Sequence, residues 1–357
     1  MLKSGFKEKY EVIDLFCGIG GLSHGFKNAG FNVLAGYDID ETCKFAFEYN
    51  NNAKFISKDI KDVTSKDIEQ IYSKNSIKIL VGCAPCQPFS NYSHKTSLRN
   101  EKWQLLYDFG RLIEEVQPDI VSMENVPGLP KFDKGNVYKD FIKILKKHNY
   151  EFSDEIVNCP DYGIPQYRKR FVLLASKLGK IELIPKTHTP NNYVTVEETI
   201  KKLEPLKHGE QSKTDSIHRA SRLSDKNLKR IRQSVPGGTW RDWDEDLLLE
   251  CHKKDSGKTY VSVYGRMEWK KPSPTMTTHC NGLGNGRFGH PEQDRAISLR
   301  EAALFQTFPI DYQFAKKGEP FQVKTISTHI GNAVPPRLGE VIAKSIEIHL
   351  KQYQLNK

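Results

Sequence analysis

The sequence has no hydrophobic run long enough to cross a membrane. A membrane-spanning helix needs about 18 mostly apolar residues in succession, and no run in the 357 residues approaches that length. Residues 1–5 also lack the apolar core of a secretory signal peptide. We therefore predict a cytoplasmic protein that makes no contact with membranes.

Cysteine is sparse and odd in number. Seven cysteines are scattered along the chain, which excludes a disulfide framework. Cys83 and Cys86 form a CxxC pair, but no second pair completes a zinc site, and the Cys–His neighbours at 251–252 and 279–280 lack tight ligand spacing. The surrounding sequence is unlike a thioredoxin unit. We expect neither a metal site nor a redox pair.

Acidic residues are too few to balance the basic ones. The net charge is +10 and the isoelectric point is about 9.0, which indicates a polyanionic partner. Residues 201–241 carry eleven Lys or Arg against four Asp or Glu. A charge run by itself is more often a solvated basic helix. Nucleic-acid binding gains support only from chemistry elsewhere in the chain.

The first 180 or so residues alternate short β-rich runs with amphipathic segments, which is typical of a mostly parallel α/β sheet. The candidate strands are Glu11–Phe16, Phe31–Gly36, Phe55–Ile56, Ile77–Val81 and Ile120–Met123. Polar residues follow these strands where open α/β sheets bind their ligands. We predict an α/β fold with a doubly wound, Rossmann-like sheet.

The composition changes near residue 185, where Pro, Thr, His and Asn become frequent and the alternation of β-rich runs with amphipathic segments weakens. Regular patterning resumes near residue 299. We predict a catalytic domain over 1–184, a smaller domain over 185–310, and a C-terminal segment, 311–357, that returns to the catalytic domain.

A cysteine lies in a Pro-rich turn directly after the fourth candidate strand, in the sequence GCAPCQPFS over residues 82–90. Pro85 fixes its own φ and keeps Ala84 out of the helical region, so Cys86 is held in place. An ionised thiol at such a turn is a strong nucleophile at neutral pH.

The first strand ends in DLFCGIGG, residues 14–21, whose glycines allow a ligand to approach the backbone closely. The spacing differs from the dinucleotide fingerprint, and a purely structural turn would explain it equally well. Asp38 after the second strand suits a ribose diol, and Asp59 after the third suits an adenine amine. Together they indicate an adenosine site without a phosphate cradle.

Three further charged residues are candidates for chemistry. Glu124 ends the fifth strand among apolar neighbours, where a partly desolvated carboxyl group can donate a proton near neutrality. Arg168 and Arg170, in QYRKR, lie two residues apart at the start of another strand and share a face. Two such cations can hold a carbonyl oxygen or a phosphate. In isolation, Glu124 would more often be a surface residue at a strand end, and the two arginines would equally fit an exposed strand edge.

The ordered motifs resemble those of the S-adenosylmethionine-dependent DNA cytosine-5 methyltransferases of bacteria and phages. They are DLFCGIGG, GCAPCQPFS, ENVPG (124–128), QYRKR (166–170), LREAA (299–303) with QTFP (306–309), and IGNAVPP (330–336). The resemblance runs from Asp14 to Pro336 and is interrupted where the family has its variable target-recognition region. It implies a class I methyltransferase fold with a small recognition domain.

The resemblance assigns a role to each catalytic residue. Cys86 would add to carbon 6 of cytosine, and Glu124 would protonate or hydrogen-bond ring nitrogen 3. Arg170, with Arg168, would hold the ring carbonyl oxygen and the catalytic loop. Carbon 5 is too poor a nucleophile to accept a methyl group until a thiolate has added to carbon 6. The target must be flipped out of the duplex, and residues 90–100 would cover it.

The resemblance also implies the cofactor site. The residues expected to bind S-adenosylmethionine are Phe16, Cys17, Gly18, Ile19, Gly21, Asp38, Ile39, Asp59, Ile60, Asn332, Ala333 and Val334. Asp38 stands where the family usually has Glu, and Leu304-Phe305 replaces the more usual Arg-Leu. Neither departure touches the catalytic residues, so we expect an active enzyme.

The expected partner is duplex DNA, bound by a monomer that modifies one short sequence, as in a restriction–modification system. The basic stretch 201–241 would contact phosphates, and loops 237–240 and 281–284 would read bases. Two alternatives stay open. One is methylation of cytosine in tRNA, which the long variable region disfavours. The other is a catalytically silent DNA-binding module, which the intact Cys86 and Glu124 disfavour.

Overall fold

The computed structural model describes residues 10–85, 103–259 and 261–355. Within these residues the chain divides into two compact units. The first consists of residues up to 158, 169–186 and from 333 onward. The second consists of residues 159–168 and 187–332.

A seven-stranded mixed sheet forms the centre of the first unit, with the strand order β3-β2-β1-β4-β5-β7-β6. Strands β1 to β5 are parallel, whereas β7 runs antiparallel to β5 and β6. The strands are β1 (Tyr10–Leu15), β2 (Asn32–Asp38), β3 (Lys54–Ser57), β4 (Ile77–Gly82), β5 (Ile120–Asn125), β6 (Glu151–Asn158) and β7 (Lys169–Ser176).

The helices of the first unit connect these strands. They are α1 (Gly21–Asn28), α2 (Lys44–Asn51), α3 (Ser65–Glu69), α4 (Gln104–Val116), α5 (Asn136–Lys147) and the C-terminal α11 (Pro336–Leu355). Short 3₁₀ helices lie at Glu41–Cys43, Ile60–Asp62 and Leu129–Gly135.

The second unit is built of shorter pieces. Its helices are α6 (Val196–Ile200), α7 (Asp225–Gln233), α8 (Glu250–Lys253), α9 (Leu299–Phe305) and α10 (Val323–Asn332). Its 3₁₀ helices are Cys159–Tyr162, Trp240–Asp242, Glu245–Leu247, Asp255–Gly257 and Leu283–Asn285. Small apolar clusters stabilise it, one of them around Trp240, Trp243 and Leu247.

The central strands are buried on both faces because helices cover both sides of the sheet. Every residue of β1 and of β5 is buried, and the buried residues include polar side chains such as Asp14 and Glu124. On one side, α4 packs Phe109, Leu112 and Ile113 onto the sheet with no exposed surface left on any of them. The 3.6-residue spacing of these side chains places them on the buried face of the helix.

The α/β fold predicted from the sequence is confirmed. The five candidate strands correspond to β1–β5 with ends displaced by two residues or fewer. The reversed direction of β7 makes the sheet mixed. Arg168 precedes β7, so it lies outside the strand that the sequence pattern placed it on. No helix in the described residues is long and apolar enough to cross a membrane.

The unit boundaries differ from the domain boundaries drawn on the sequence. Residues 159–168 and 311–332 group with the second unit rather than with the sheet. The aromatic rings of Phe308, Tyr312 and Phe314 pack together with centroid distances of 4.6–5.2 Å. Gln306 also donates a hydrogen bond to the carbonyl of Ile330. These contacts bind the segment after residue 310 to α9 and α10.

Helices α1 and α11 cross at two glycines. A Cβ on Gly25 would lie 2.4–2.5 Å from backbone atoms of Pro336, Gly339 and Glu340. A Cβ on Gly339 would lie 2.8 Å from the carbonyl oxygen of Leu22. The backbones approach so closely that no side chain fits between them, which fixes the first helix of the chain against the last.

We expect Gly25→Ala to lower the free energy of unfolding by about 1–2 kcal/mol, because the cost of overpacking exceeds the gain in helix propensity. Gly110→Ala in α4 is the matched control. Its Cβ would lie 2.7 Å from the flexible end of Ile144 and 3.8 Å from the Phe141 ring, with no backbone atom of another helix in contact among the described residues. We expect it to be neutral or slightly stabilising in urea unfolding. Equal stability of the two variants would contradict the tight helix crossing.

Candidate active site

The polar residues singled out in the first unit lie at one edge of its sheet. Strands β1, β2, β4 and β5 are parallel, so their carboxyl ends share that edge. Asp38 is the last residue of β2, and Glu124 is the penultimate residue of β5. Open α/β sheets bind their ligands at this edge.

The turn after β1 has an unusual backbone. Phe16, Gly18 and Gly20 have φ values of 60°, 50° and 84°, in the left-handed region. For Phe16 this conformation costs about 1 kcal/mol or more. The side of Gly18 where a Cβ would point is open, with no atom of the described residues within 4 Å. The turn therefore exposes bare backbone at the sheet edge, as the approach of a ligand requires.

Asp38 holds this turn in place. Its Oδ2 accepts a hydrogen bond from the Gly18 backbone N–H at 2.8 Å, and its Oδ1 accepts one from Asp40 at 2.9 Å. Burial raises the pKa of Asp38, the two backbone N–H groups oppose that shift, and the nearby Asp40 charge adds to it. The carboxylate that the sequence suggested for a ribose thus also positions the glycine-rich turn.

Asp14, at the end of β1, was not among the predicted site residues. It is 1 % exposed, and its Oδ2 accepts a hydrogen bond from the Ser23 hydroxyl at 2.6 Å. Burial raises the pKa of Asp14 to about 7; the Ser23 hydrogen bond opposes that shift, and the charge of Asp38 adds to it. Asp14 is the first residue of the motif DLFCGIGG, and this position is the only signal for it in the sequence. Its burial cannot be predicted from the sequence.

The residues expected around an adenine ring lie on three neighbouring strand ends. Phe16 is half-buried, with its ring 6.5 Å from that of Phe109 in an edge arrangement. Ile39, directly after β2, is 70 % exposed. Asp59 caps the short helix Ile60–Asp62 by accepting a hydrogen bond from Lys61. Arg111 donates to the carbonyls of Ile60 and Val63 and fixes that helix.

These residues fit S-adenosylmethionine. A 70 % exposed isoleucine and a half-buried phenylalanine supply apolar surface for a purine at the sheet edge. The bare backbone at Gly18 leaves room for the rest of the molecule. Ile19 and Gly21 are buried behind the turn. Cys17 is also buried, and burial raises the pKa of its thiol. A contact between Cys17 and the cofactor would therefore be made through the backbone of Cys17.

Glu124 is a buried carboxylate paired with a cation. It is 2 % exposed, and Arg170 Nε lies 2.8 Å from its Oε1. Glu124 faces Val172 across the antiparallel β5–β7 ladder. Arg170 is two residues from Val172, so it lies on the same face, diagonally across from Glu124. The structure therefore brings together two of the predicted catalytic residues.

The loop that carries the predicted nucleophile leaves β4 beside Glu124. Ala84 is buried, and its carbonyl oxygen accepts a hydrogen bond from the fully buried Asn125 side chain at 3.1 Å. Asn125 thus anchors the start of the loop. Cys86 and the predicted lid, 90–100, lie outside the described residues.

Arg168 belongs to the second unit, where its guanidinium donates hydrogen bonds to backbone carbonyls. It is 3 % exposed and donates to Met276 at 3.0 Å and to Gly331 at 3.3 Å. Arg168 therefore contacts backbone carbonyls, whereas Arg170 contacts the Glu124 carboxylate. Gly331 precedes Asn332, which is exposed and ends the second unit. The half-buried Ala333 and the buried Val334 begin the last segment of the first unit.

The basic stretch of the second unit is largely solvent-facing. Nine of its eleven Lys and Arg residues are exposed. Of the other two, Arg230 is buried and lies over the rings of Trp243 and Tyr264, and Arg219 is half-buried. Trp240, suggested for base reading, is 6 % exposed and stacks on His252 at 4.3 Å. Its side chain stabilises the unit and does not face solvent.

The sequence model of the C-5 cytosine-specific DNA methylases matches residues 10–348. The chain belongs to this family. It is therefore a DNA cytosine-5-methyltransferase, as the motifs predicted. The Type II methylase M.HgiDII of Herpetosiphon aurantiacus is 59 % identical over 340 residues, covering 95 % of this chain and 96 % of that protein. The Type II methyltransferase M.Eco47II of Escherichia coli is 30 % identical, covering 96 % and 79 %.

Solved structures support the fold of this methyltransferase. A DNA modification methyltransferase encoded within an E. coli prophage superposes with a TM-score of 0.73 at 23 % identity, covering 96 % of this chain and 99 % of that one. The methyltransferase EhMeth of Entamoeba histolytica gives a TM-score of 0.62 at 16 % identity, covering 96 % and 99 %.

We expect the methyltransferase variant Asp14→Asn to gain stability relative to the wild type as pH rises. The folded-state pKa of Asp14, about 7, exceeds its ordinary value of 3.8. The wild type therefore loses stability between about pH 4 and pH 7, and the variant does not share this loss. The difference in unfolding free energy should change by about 2 kcal/mol between pH 5 and pH 8. Parallel pH curves for the two proteins in urea unfolding would contradict the buried acid.

Proposed function

We propose that this enzyme methylates carbon 5 of a flipped-out cytosine in one short duplex DNA sequence, through a covalent adduct between Cys86 and carbon 6. The observation that carries the proposal is the buried Glu124–Arg170 pair at the carboxyl edge of the sheet. That pair adjoins Ala84, which Asn125 anchors two residues before Cys86. In the proposal, the thiol of Cys86 acts together with this acid and this cation.

Each residue has a distinct task in this mechanism. Glu124 binds ring nitrogen 3 of the cytosine and supplies or shares a proton there, which draws electrons away from carbon 6. The Cys86 thiolate adds to carbon 6, and the electron pair of the 5,6 double bond makes carbon 5 nucleophilic. Arg170 fixes the Glu124 carboxylate and reaches the ring carbonyl oxygen. After carbon 5 has accepted the methyl group, loss of its proton to a water molecule and expulsion of Cys86 restore the aromatic ring.

The cofactor site follows from the turn after β1. S-adenosylmethionine supplies an electrophilic methyl group when bound. Phe16 and Ile39 provide the apolar surface for its adenine, with Asp59 and Ile60 beside them. Asp38 orders the turn and keeps lone pairs for the ribose hydroxyls. The remaining predicted cofactor contacts, which we retain in the proposal, are Cys17, Gly18, Ile19, Gly21, Asn332, Ala333 and Val334. We propose no metal.

The two units have different tasks in the proposal. The unit with the sheet performs the chemistry, and the second unit recognises the target. Nine exposed Lys and Arg residues in the 201–241 stretch provide phosphate contacts. The relatives named Type II methyltransferases favour a modification enzyme of a restriction–modification system. Such an enzyme works as a monomer in the bacterial cytoplasm. The family assignment favours DNA over the tRNA alternative.

The direct test is bisulfite sequencing of DNA from cells that express the wild type, Cys86→Ala or Glu124→Gln. We expect methylated cytosines in one sequence context with the wild type and none with Cys86→Ala. Glu124→Gln should methylate about 100-fold more slowly in vitro, because general acid catalysis contributes about that much.

A covalent trap separates the mechanism from the activity. Duplex DNA with 5-fluorocytosine at the target should form a denaturant-stable complex with the wild type but not with Cys86→Ala. Methylation by folded Cys86→Ala at the wild-type rate would overturn the proposed nucleophile. A trap with tRNA rather than duplex DNA would overturn the proposed substrate.

The two arginines should respond differently to the same substitution. Arg170→Lys keeps the charge but loses the guanidinium Nε that lies 2.8 Å from Glu124 Oε1, so the single-turnover rate should fall at least about tenfold. Arg168→Lys loses carbonyl contacts within the second unit. We expect a lower midpoint of thermal unfolding and a higher KM for the cofactor, with a nearly unchanged rate at saturation. Equal rate losses in both variants would assign both arginines to the base.

A further inference from the structure

A second cysteine side chain lies beside the Glu124 carboxylate. Cys83 Sγ is 2.8 Å from Glu124 Oε2 and donates a hydrogen bond to it. The other oxygen, Oε1, is the one that lies 2.8 Å from Arg170 Nε. Two side chains from two different strand ends thus contact two different oxygens of one buried carboxylate.

The sheet register explains why these residues meet. Gly82 pairs with Met123 in the parallel β4–β5 ladder. Cys83 and Glu124 are the next residues on each strand, so they are lateral neighbours at the edge. The Cys83 backbone N–H donates to the carbonyl of Leu15 at 3.3 Å, which ties this position to the end of β1. The thiol is therefore presented by a fixed backbone.

We propose that Cys83 is a positioning residue of the methyltransferase: its thiol holds Glu124 through Oε2, while the Arg170 guanidinium lies beside Oε1. A carboxylate fixed at only one oxygen can rotate about its final carbon–carbon bond. A cation beside one oxygen and a hydrogen-bond donor on the other restrict that rotation before the base arrives. Oε2 has two lone pairs, so it can accept the Cys83 hydrogen and still share a proton with ring nitrogen 3 of the cytosine.

This role gives the first cysteine of the CxxC pair a task that needs neither a metal nor a redox partner. The thiol acts as a hydrogen-bond donor and changes no covalent bond. A thiol is a weak donor in general, but its acceptor here is a carboxylate, and hydrogen bonds to charged groups are the stronger class. Serine has the same donor capacity on a shorter side chain, whereas alanine has none.

The inference rests on the proposed role of Glu124, and the experiment is designed to separate the two. Single-turnover methylation of duplex DNA at saturating cofactor is compared for the wild type, Cys83→Ala, Cys83→Ser and Glu124→Gln. The double variant Cys83→Ala/Glu124→Gln completes the cycle. Cys251, an exposed free cysteine of the second unit, supplies the control variant Cys251→Ala.

We expect Cys83→Ala to lower the single-turnover rate about tenfold, the size of one hydrogen bond to a charged group. The KM values for DNA and cofactor should stay within about twofold, because the thiol acts on the carboxylate rather than on binding. Cys83→Ser should recover most of the rate. In the Glu124→Gln background, Cys83→Ala should have little further effect, because the two residues act as one unit. Cys251→Ala should match the wild type.

The outcomes distinguish the inference from the proposed function. If Glu124→Gln is slow while folded Cys83→Ala is as fast as the wild type, only the inference fails. The inference also fails if Cys83→Ser is as slow as Cys83→Ala, or if the two losses multiply independently in the double variant. If Glu124→Gln itself keeps the full rate, the proposed role of Glu124 fails. Thermal unfolding of each variant excludes a loss of folded protein as the cause.

Discussion

The burial of the Glu124 carboxylate is the constraint on which the site depends. A carboxylate with 2 % exposure is costly unless a fixed cation and hydrogen-bond donors surround it. Arg170 reaches it because β7 runs antiparallel beside β5 and places the arginine diagonally opposite. Cys83 reaches it because β4 runs parallel on the other side. Because β4 and β7 flank β5, one carboxylate at the end of β5 contacts side chains from both neighbouring strands.

The side of the edge that we propose for the cofactor is organised by a second carboxylate, Asp38. Its two oxygens accept backbone N–H groups from Gly18 and Asp40, and this stabilises a turn with three residues in the left-handed region. A shorter aspartate suits that task, since the carboxyl group stays close to its own strand end. The departure from the family's usual glutamate is therefore compatible with an ordered turn, and the same side chain still presents lone pairs at the sheet edge.

The sequence predicts what depends on local pattern and on motifs. The apolar runs located β1 to β5, and the motif order identified the family. It does not predict contacts that depend on strand order. The Cys83–Glu124 contact needs β4 beside β5, and the burial of Asp14 needs helices on both faces of the sheet. Arg168 and Arg170 look equivalent in QYRKR. In the structure, Arg168 donates hydrogen bonds to backbone carbonyls of the second unit, and Arg170 forms an ion pair with Glu124. The sequence alone suggested Trp240 for base reading, because the local pattern does not reveal that its ring stacks on His252.

The glycine crossing of α1 and α11 has a consequence for synthesis of the protein. Helix α1 follows directly from the glycine-rich turn, and its partner begins more than 300 residues later. Asn28 and Glu340 also share a hydrogen bond, as do Tyr10 and Gln354. Contacts so distant along the chain form late in folding. On the ribosome, β1 and α1 emerge long before the helix that packs on them, so a partly translated chain leaves one face of α1 uncovered. The packing of α1 is therefore completed only after α11 has been made.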